Sequence, residues 1–87
     1  FLYPGMSVSS QTNTKLGGTT SDQSKIVTDW YKSKIKELGF NTNSAALTST
    51  NGNVINKLAS ANREYKVAIS ITKNSGETST HIDIEIE

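Results

Sequence analysis

The chain has 87 residues, 33% of them hydrophobic and 20% charged, so we expect residues 1–87 to form a single domain with a thin core. Its formal net charge is +1 and no apolar run approaches the ~18 residues of a membrane span, which argues against a nucleic-acid partner and against membrane contact except through an anchor outside this sequence. The absence of cysteine excludes disulfides, thiolate nucleophiles and cysteine-based metal sites.

The first predicted element is a polar strand that starts at Met6 and continues toward Lys15, where Ser and Thr residues favour an exposed or edge position. The Gly17-Gly18 pair that follows is interpreted as a flexible loop leading into a helix. Backbone amides in such a loop can bind an anion, but the chain contains neither a G-x-x-x-x-G-K nor a G-x-G-x-x-G pattern. We therefore expect no nucleotide site.

A helix is predicted next, with recognisable chemistry at both ends. Thr20 and Gln23 have the spacing of a capping box, and Asp22 would lie in the first turn, where its charge suits the helix dipole. The helix is expected to run to about residue 38. Gly39 can then adopt the left-handed conformation, which lets Phe40 pack back on the final turn as the apolar partner of a Schellman motif.

The apolar positions of this helix form one stripe that needs a sheet to cover it. They are Ile26, Val27, Trp30, Tyr31, Ile35 and Leu38. Because adjacent helix positions diverge by ~100°, we expect Trp30 in the core and Tyr31 at the border of the sheet with a solvated hydroxyl group, near Tyr3.

A hairpin is predicted in the middle of the chain around Thr50-Asn51-Gly52-Asn53, the strongest short turn signal present. Its flanks, residues 45–49 and 54–60, are interpreted as two strands. Residues 54–59 also have helical spacing, so a helical turn there is an open alternative.

The C-terminal part reads as a second hairpin. Residues 65–72 and 80–87 alternate between apolar and polar positions, and the turn between them falls at 74–77. The inward faces consist of Val67, Ile69 and Ile71 in the first strand and Ile82, Ile84 and Ile86 in the second. We therefore predict an α+β fold in which one helix packs on one face of a mainly antiparallel sheet of about four to five strands, in the order β-α-β-β-β-β, and the other face is open to solvent.

One group of residues could bind a metal ion. His81, Asp83 and Glu85 alternate on the last strand, so their side chains share a face. The chain has a single histidine, and the simpler interpretation is the solvated face of an amphipathic strand. No Gly-x-Ser-x-Gly pattern accompanies the abundant Ser and Thr. We predict a protein that is not an enzyme, and we assign no catalytic, cofactor-binding or metal-binding residue.

The "YPG" at residues 3–5, the "VTDWYKSKIKELGF" at residues 27–40 and the closing alternating strands carry a resemblance. The chain resembles small prokaryotic extracytoplasmic domains, attached by a lipid or a membrane anchor, that share a "YPG...(F/W)Yk..L...G(W/F)" pattern and mostly have no assigned function. The matching positions are Tyr3, Pro4, Gly5, Trp30, Tyr31, Gly39 and Phe40. These are residues of a packing motif, so the resemblance implies a fold and a compartment and brings no catalytic residue.

Together these features predict a non-enzymatic extracytoplasmic interaction or accessory module of a membrane-anchored or secreted prokaryotic protein. Its partner would be a protein bound at the open sheet face or edge, and the module itself is expected to be a monomer. Two alternatives are a pilin-like structural subunit of a surface assembly and a small metal-binding protein or enzyme that uses the His81, Asp83 and Glu85 face.

Overall fold

The computed structural model describes residues 3–40 and 42–86 and contains one helix and a six-stranded sheet. The elements in chain order are β1 (Ser7–Gln11), β2 (Lys15–Thr20), α1 (Ser24–Glu37), β3 (Thr42–Thr50), β4 (Asn53–Ala61), β5 (Lys66–Lys73) and β6 (Thr80–Ile86). All neighbouring strands are antiparallel, and they lie in the order β1-β2-β6-β5-β4-β3. The predicted α+β class is therefore confirmed.

The N-terminal region forms two strands where one was expected. The order is thus β-β-α-β-β-β-β, and the sheet exceeds the predicted four to five strands. Thr12 builds the turn between β1 and β2: its amide donates to the Lys15 carbonyl oxygen at 2.8 Å, and its hydroxyl group accepts from the Lys15 amide at 3.0 Å. A turn made by a threonine hydroxyl group has a weaker sequence signal than one made by glycine or proline, which is why this hairpin was missed.

Gly17 and Gly18 lie inside β2, so their interpretation as a loop was wrong. Gly18 pairs with Val8 on one side and with Ile82 on the other. A Cβ atom on Gly18 would lie 2.5 Å from the Ser7 carbonyl oxygen and would also overlap the Met6 methyl group. Here glycine permits a close approach between strands.

Helix α1 begins without the predicted capping box. Gln23 is extended and makes no side-chain cap hydrogen bond. Thr20 is held in β2 by its pairing with Thr80, and its hydroxyl group accepts from the Asp22 amide at 3.3 Å. Asp22 therefore precedes the helix, and the first turn contains no acidic residue.

The C-terminal end of α1 confirms the predicted Schellman motif. Gly39 has a φ of +83°, and its amide donates to the Lys36 carbonyl oxygen at 3.1 Å. The Phe40 amide donates to the Ile35 carbonyl oxygen at 3.3 Å, which completes the pair of hydrogen bonds that defines the motif. The Phe40 side chain is buried in the core.

The buried side of α1 is narrower than the predicted stripe. Val27, Tyr31 and Ile35, at i, i+4 and i+8, are its apolar centre, whereas Ile26 is 53% exposed and Leu38 is 47% exposed. Only one member of an adjacent pair can lie at the centre of a helix face.

The roles expected for Trp30 and Tyr31 are reversed in the structure. Tyr31 is fully buried, and Trp30 is partly buried beside it. The Trp30 ring lies edge-on to Tyr31 at 4.9 Å and to Tyr3 at 5.3 Å between ring centroids. Tyr3 does pack near Tyr31, as predicted, at 6.2 Å.

The core lies between α1 and the middle of the sheet, as the alternation of the last two strands predicted. Its sheet side is formed by Leu58, Val67, Ile69, Ile71, Ile82 and Ile84, with Ile86 partly buried. A buried hydrogen bond of 2.9 Å from the Asn56 amide group to the Thr28 hydroxyl oxygen joins β4 to α1. The opposite face carries no helix in the described part of the chain.

Both predicted hairpins are present. Asn51 and Gly52 have φ values of 51° and 82°, which identifies the type I′ turn that an Asn-Gly pair favours. Residues 54–59 belong to β4, so the helical alternative was wrong. The Ser75 amide, in the turn between β5 and β6, donates to Asn53 Oδ1 at 2.7 Å and fixes the two turns to each other.

The reversal of Trp30 and Tyr31 can be tested by truncation. Tyr31→Ala should lower the free energy of unfolding by ~3–5 kcal/mol because it leaves a cavity in the core, and Trp30→Ala should cost less because its ring is partly solvated. Urea unfolding followed by circular dichroism measures both. An equal or larger loss for Trp30→Ala would contradict this packing.

Candidate interaction surface

The outer side of β3, here called the β3 edge, is the first candidate for a binding surface. β3 pairs with β4 without interruption from Thr42↔Ala61 to Thr50↔Asn53, and its other side has no partner strand among the described residues. The strand is nine residues long and contains no charged residue, proline or glycine. From Ala45 to Thr50 every residue is exposed, on both faces of the sheet.

The hairpin geometry decides which backbone groups of β3 are free to bind. In a two-residue turn the flanking residues, here Thr50 and Asn53, are hydrogen-bonded to each other. Bonded and non-bonded positions alternate along an antiparallel strand. Ala45, Leu47 and Ser49 therefore direct their N–H and C=O groups away from β4.

The opposite edge of the sheet is less suited to accept a strand. β1 has five residues, and its pairing with β2 is broken by a bulge between Val8 and Ser10. Short and bulged edge strands are the devices by which proteins discourage pairing at a sheet edge. β3 shows none of these devices.

The open face of the sheet is the second candidate surface. A shallow depression of about 280 Å³ lies where Gly17 and Ala68 leave space between Lys15, Asp83 and Glu85. Asp83 leans over the glycine, with Oδ1 3.2 Å from the position that a Cβ on Gly17 would occupy. Because its walls combine one amine with two carboxylates on a solvent-exposed face, the depression selects no single class of ligand.

The three residues considered for a metal site do share the open face, as predicted. His81, Asp83 and Glu85 pair with Thr72, Ser70 and Ala68 across the sheet. His81 Nε2 lies 3.2 Å from Glu77 Oε2, so the imidazole is engaged at the turn. Hydrogen bonds from His81 and then from Asn74 lower the pKa of Glu77. Within residues 3–40 and 42–86, no group of three His, Asp or Glu is arranged to bind a metal ion.

A cluster around Asp22 joins the N-terminus to the helix and the sheet. The Tyr3 hydroxyl group donates to Asp22 Oδ2 at 2.6 Å, and the Thr80 hydroxyl group donates to the Asp22 carbonyl oxygen at 2.7 Å. Tyr3 also begins a turn, with Gly5 at a φ of 82° and the Met6 amide donating to the Tyr3 carbonyl oxygen at 3.1 Å. Sequence reasoning missed the cluster because nothing local links Tyr3 to Asp22.

Two buried phenols make this region sensitive to alkali. The hydrogen bond to Asp22, together with burial, raises the pKa of Tyr3 to about 12. Burial raises the pKa of Tyr31 to about 12, although a hydrogen bond with the Tyr3 backbone acts in the opposite direction. An unfolded tyrosine has a pKa of ~10, so the neutral phenols stabilise the fold below that pH. The stabilisation is lost as the pH rises through the folded pKa values.

None of the three comparisons, with family models, with curated proteins and with solved structures, found a match to this chain. No helix within the described residues is long and apolar enough to cross a membrane.

The alkaline sensitivity gives a second prediction. The free energy of unfolding of the wild-type protein should fall between pH ~10, the unfolded tyrosine pKa, and pH ~12, the folded value, and Tyr31→Phe, which keeps the ring but has no ionisable group, should reduce the fall. Urea titrations at fixed pH values, followed by circular dichroism, measure both slopes. A Tyr31→Phe slope as steep as that of the wild type would show that the buried phenol does not control this loss.

Proposed function

We propose that the protein is a non-enzymatic extracytoplasmic interaction module of a membrane-anchored or secreted protein, and that its β3 edge binds an extended segment of a partner protein. The observation that carries this proposal is the nine-residue, uncharged and unbulged edge strand, exposed on both faces from Ala45 onward. An edge strand with these properties can pair with an extended strand of another chain unless it is protected.

Strand addition assigns separate roles to the backbone and to the side chains. The N–H and C=O groups of Ala45, Leu47 and Ser49 would supply the hydrogen bonds that hold the partner strand. Side chains of the partner would then meet Leu47 on the helix side and Thr48 on the open side. Because β3 carries no charge, it offers a charged residue of the partner strand no cross-strand ion pair, whereas its Ala, Leu, Ser and Thr side chains can match apolar and hydroxyl side chains.

The extracytoplasmic location is supported by two features of the sequence. The first is that Ser, Thr and Asn supply 31 of the 87 residues, a bias that favours turns and exposed strands and is common in prokaryotic proteins that work outside the membrane. The second feature is the resemblance to anchored extracytoplasmic domains. Among the residues that carry the resemblance, the rings of Tyr3, Trp30 and Tyr31 contact one another.

A structural subunit of a surface assembly ranks second. With six antiparallel strands, the two edge strands run in opposite directions, so a copy shifted along the sheet would bring its β1 antiparallel to β3. This arrangement would continue the sheet from copy to copy. The bulge in β1 opposes it.

The edge proposal is tested with random nine-residue peptides displayed on phage and selected against sparsely immobilised protein. Enriched peptides should lack charged residues at their centres. Leu47→Pro should lower the affinity of these peptides at least ~10-fold, because it removes an outward-facing N–H group but no hydrogen bond to β4. Leu47→Lys, which places a charge on the edge, is the second variant in case the proline perturbs the strand.

Ile55→Lys is the matched control for this experiment. Ile55 is 45% exposed and Leu47 is 56% exposed, but Ile55 lies on the open face of β4. Binding should survive this change. If the peptides lose affinity for the Ile55→Lys variant and keep it for both Leu47 variants, the binding surface is the open face and not the β3 edge. The absence of any peptide whose binding depends on Leu47 would overturn the proposal.

A further inference from the structure

The sequence of β3 is nearly symmetric in chemical class about its central residue, Ala46. From the centre outward, the paired positions hold Ala45 with Leu47, Ser44 with Thr48, Asn43 with Ser49 and Thr42 with Thr50. Apolar residues thus face apolar residues, and polar residues face polar residues, when the strand is laid antiparallel against itself. A strand with this property is complementary to its own copy.

We propose that the β3 edge binds the β3 edge of a second copy of this chain, antiparallel and centred on Ala46, to form a symmetric dimer with one continuous sheet. This inference rests on the proposed function, because it names the strand that the edge accepts. It also replaces the expectation of a monomer that the sequence alone suggested. A twofold axis perpendicular to the sheet relates the copies and keeps both helices on the same face.

The register follows from the free backbone groups. Outward-facing residues of one copy must oppose outward-facing residues of the other, and pairing Ala45 with Leu47 of the second copy satisfies this condition. With Ala46 at the centre, the nine residues of β3 overlap completely and about eight hydrogen bonds form. Ala46 itself then opposes Ala46 in a non-hydrogen-bonded pair, the closer of the two pair types.

No electrostatic cost opposes the pairing. β3 carries no charge, and the charged residue opposite Ala46 on the neighbouring strand is Lys57. The two Lys57 residues would be separated by three strand spacings, about 14 Å, which exceeds the Debye length of ~8 Å at physiological ionic strength.

A closed dimer is favoured over an open chain of copies. An open chain would join β3 to β1, whose bulge between Val8 and Ser10 interrupts its hydrogen-bonding register. Self-pairing of β3 uses an unbulged strand on both sides. An interface made from a single pair of strands is small, so we expect a reversible association.

Disulfide trapping tests the register directly, because the natural chain has no cysteine. A non-hydrogen-bonded antiparallel pair places its Cα atoms ~4.5 Å apart, within the range that a disulfide bridges. Ala46→Cys should therefore crosslink to itself under mild oxidation at least ~10-fold faster than the matched variant Thr48→Cys, whose two copies would be about 14 Å apart. A mixture of Ser44→Cys and Thr48→Cys should crosslink into heterodimers.

Sedimentation of the wild type and of Leu47→Pro completes the test. The wild type should show a monomer–dimer equilibrium, and Leu47→Pro should remain monomeric. The inference would be overturned by equal crosslinking rates for Ala46→Cys and Thr48→Cys, or by a wild type that stays monomeric at millimolar concentration. In either case, peptide binding that depends on Leu47 would still support the proposed function. Polymers that grow with concentration would indicate the open chain and also overturn it.

Discussion

The structure depends on one constraint: a single helix has to cover a sheet that is wider than the helix. Helix α1 has 14 residues, so it is about 21 Å long and ~10 Å wide, whereas six strands span about 24 Å between the outer strand axes. The helix packs on β4 and β5 and buries the apolar residues of the central strands. β1 is left exposed, as is β3 from Ala45 to Thr50, and the proposals about binding follow from that exposure.

Specific polar contacts fix the position of the helix over the sheet. The Asn56 to Thr28 hydrogen bond joins it to β4 on the buried side. At its entry, Asp22 accepts hydrogen bonds from Tyr3 and Thr80, which come from opposite ends of the chain. Buried or partly buried hydrogen bonds of this kind are costly to break. These hydrogen bonds hold the helix in the position that leaves β3 uncovered. The hydrogen bond from the Ser75 amide to Asn53 Oδ1 also fixes the turn that joins β3 to β4.

Local chemistry made several elements predictable. The alternation of residues 67–71 and 82–86, the Asn51-Gly52 turn and the Gly39-Phe40 helix end are each encoded within a few residues, and all are found. The missed features depend on distant contacts. Gly18 is in a strand because Ser7 and Met6 approach it closely, and Tyr31 is preferred to Trp30 at the core because of where the helix meets the sheet. The candidate interaction surface was predicted only as a sheet face or an edge, since the position of β3 at the edge of the sheet depends on the path that the chain takes after α1.

Residue-specific hydrogen exchange of the wild-type protein at low and high concentration tests the central claim, that β3 is an open edge that pairs with itself. At low concentration the amides of Ala45, Leu47 and Ser49 should exchange rapidly, while those of Ala46, Thr48 and Thr50, which bond to β4, should be protected. At high concentration the first three should become protected as well. Rates for Ala45, Leu47 and Ser49 that do not change with concentration would contradict the account.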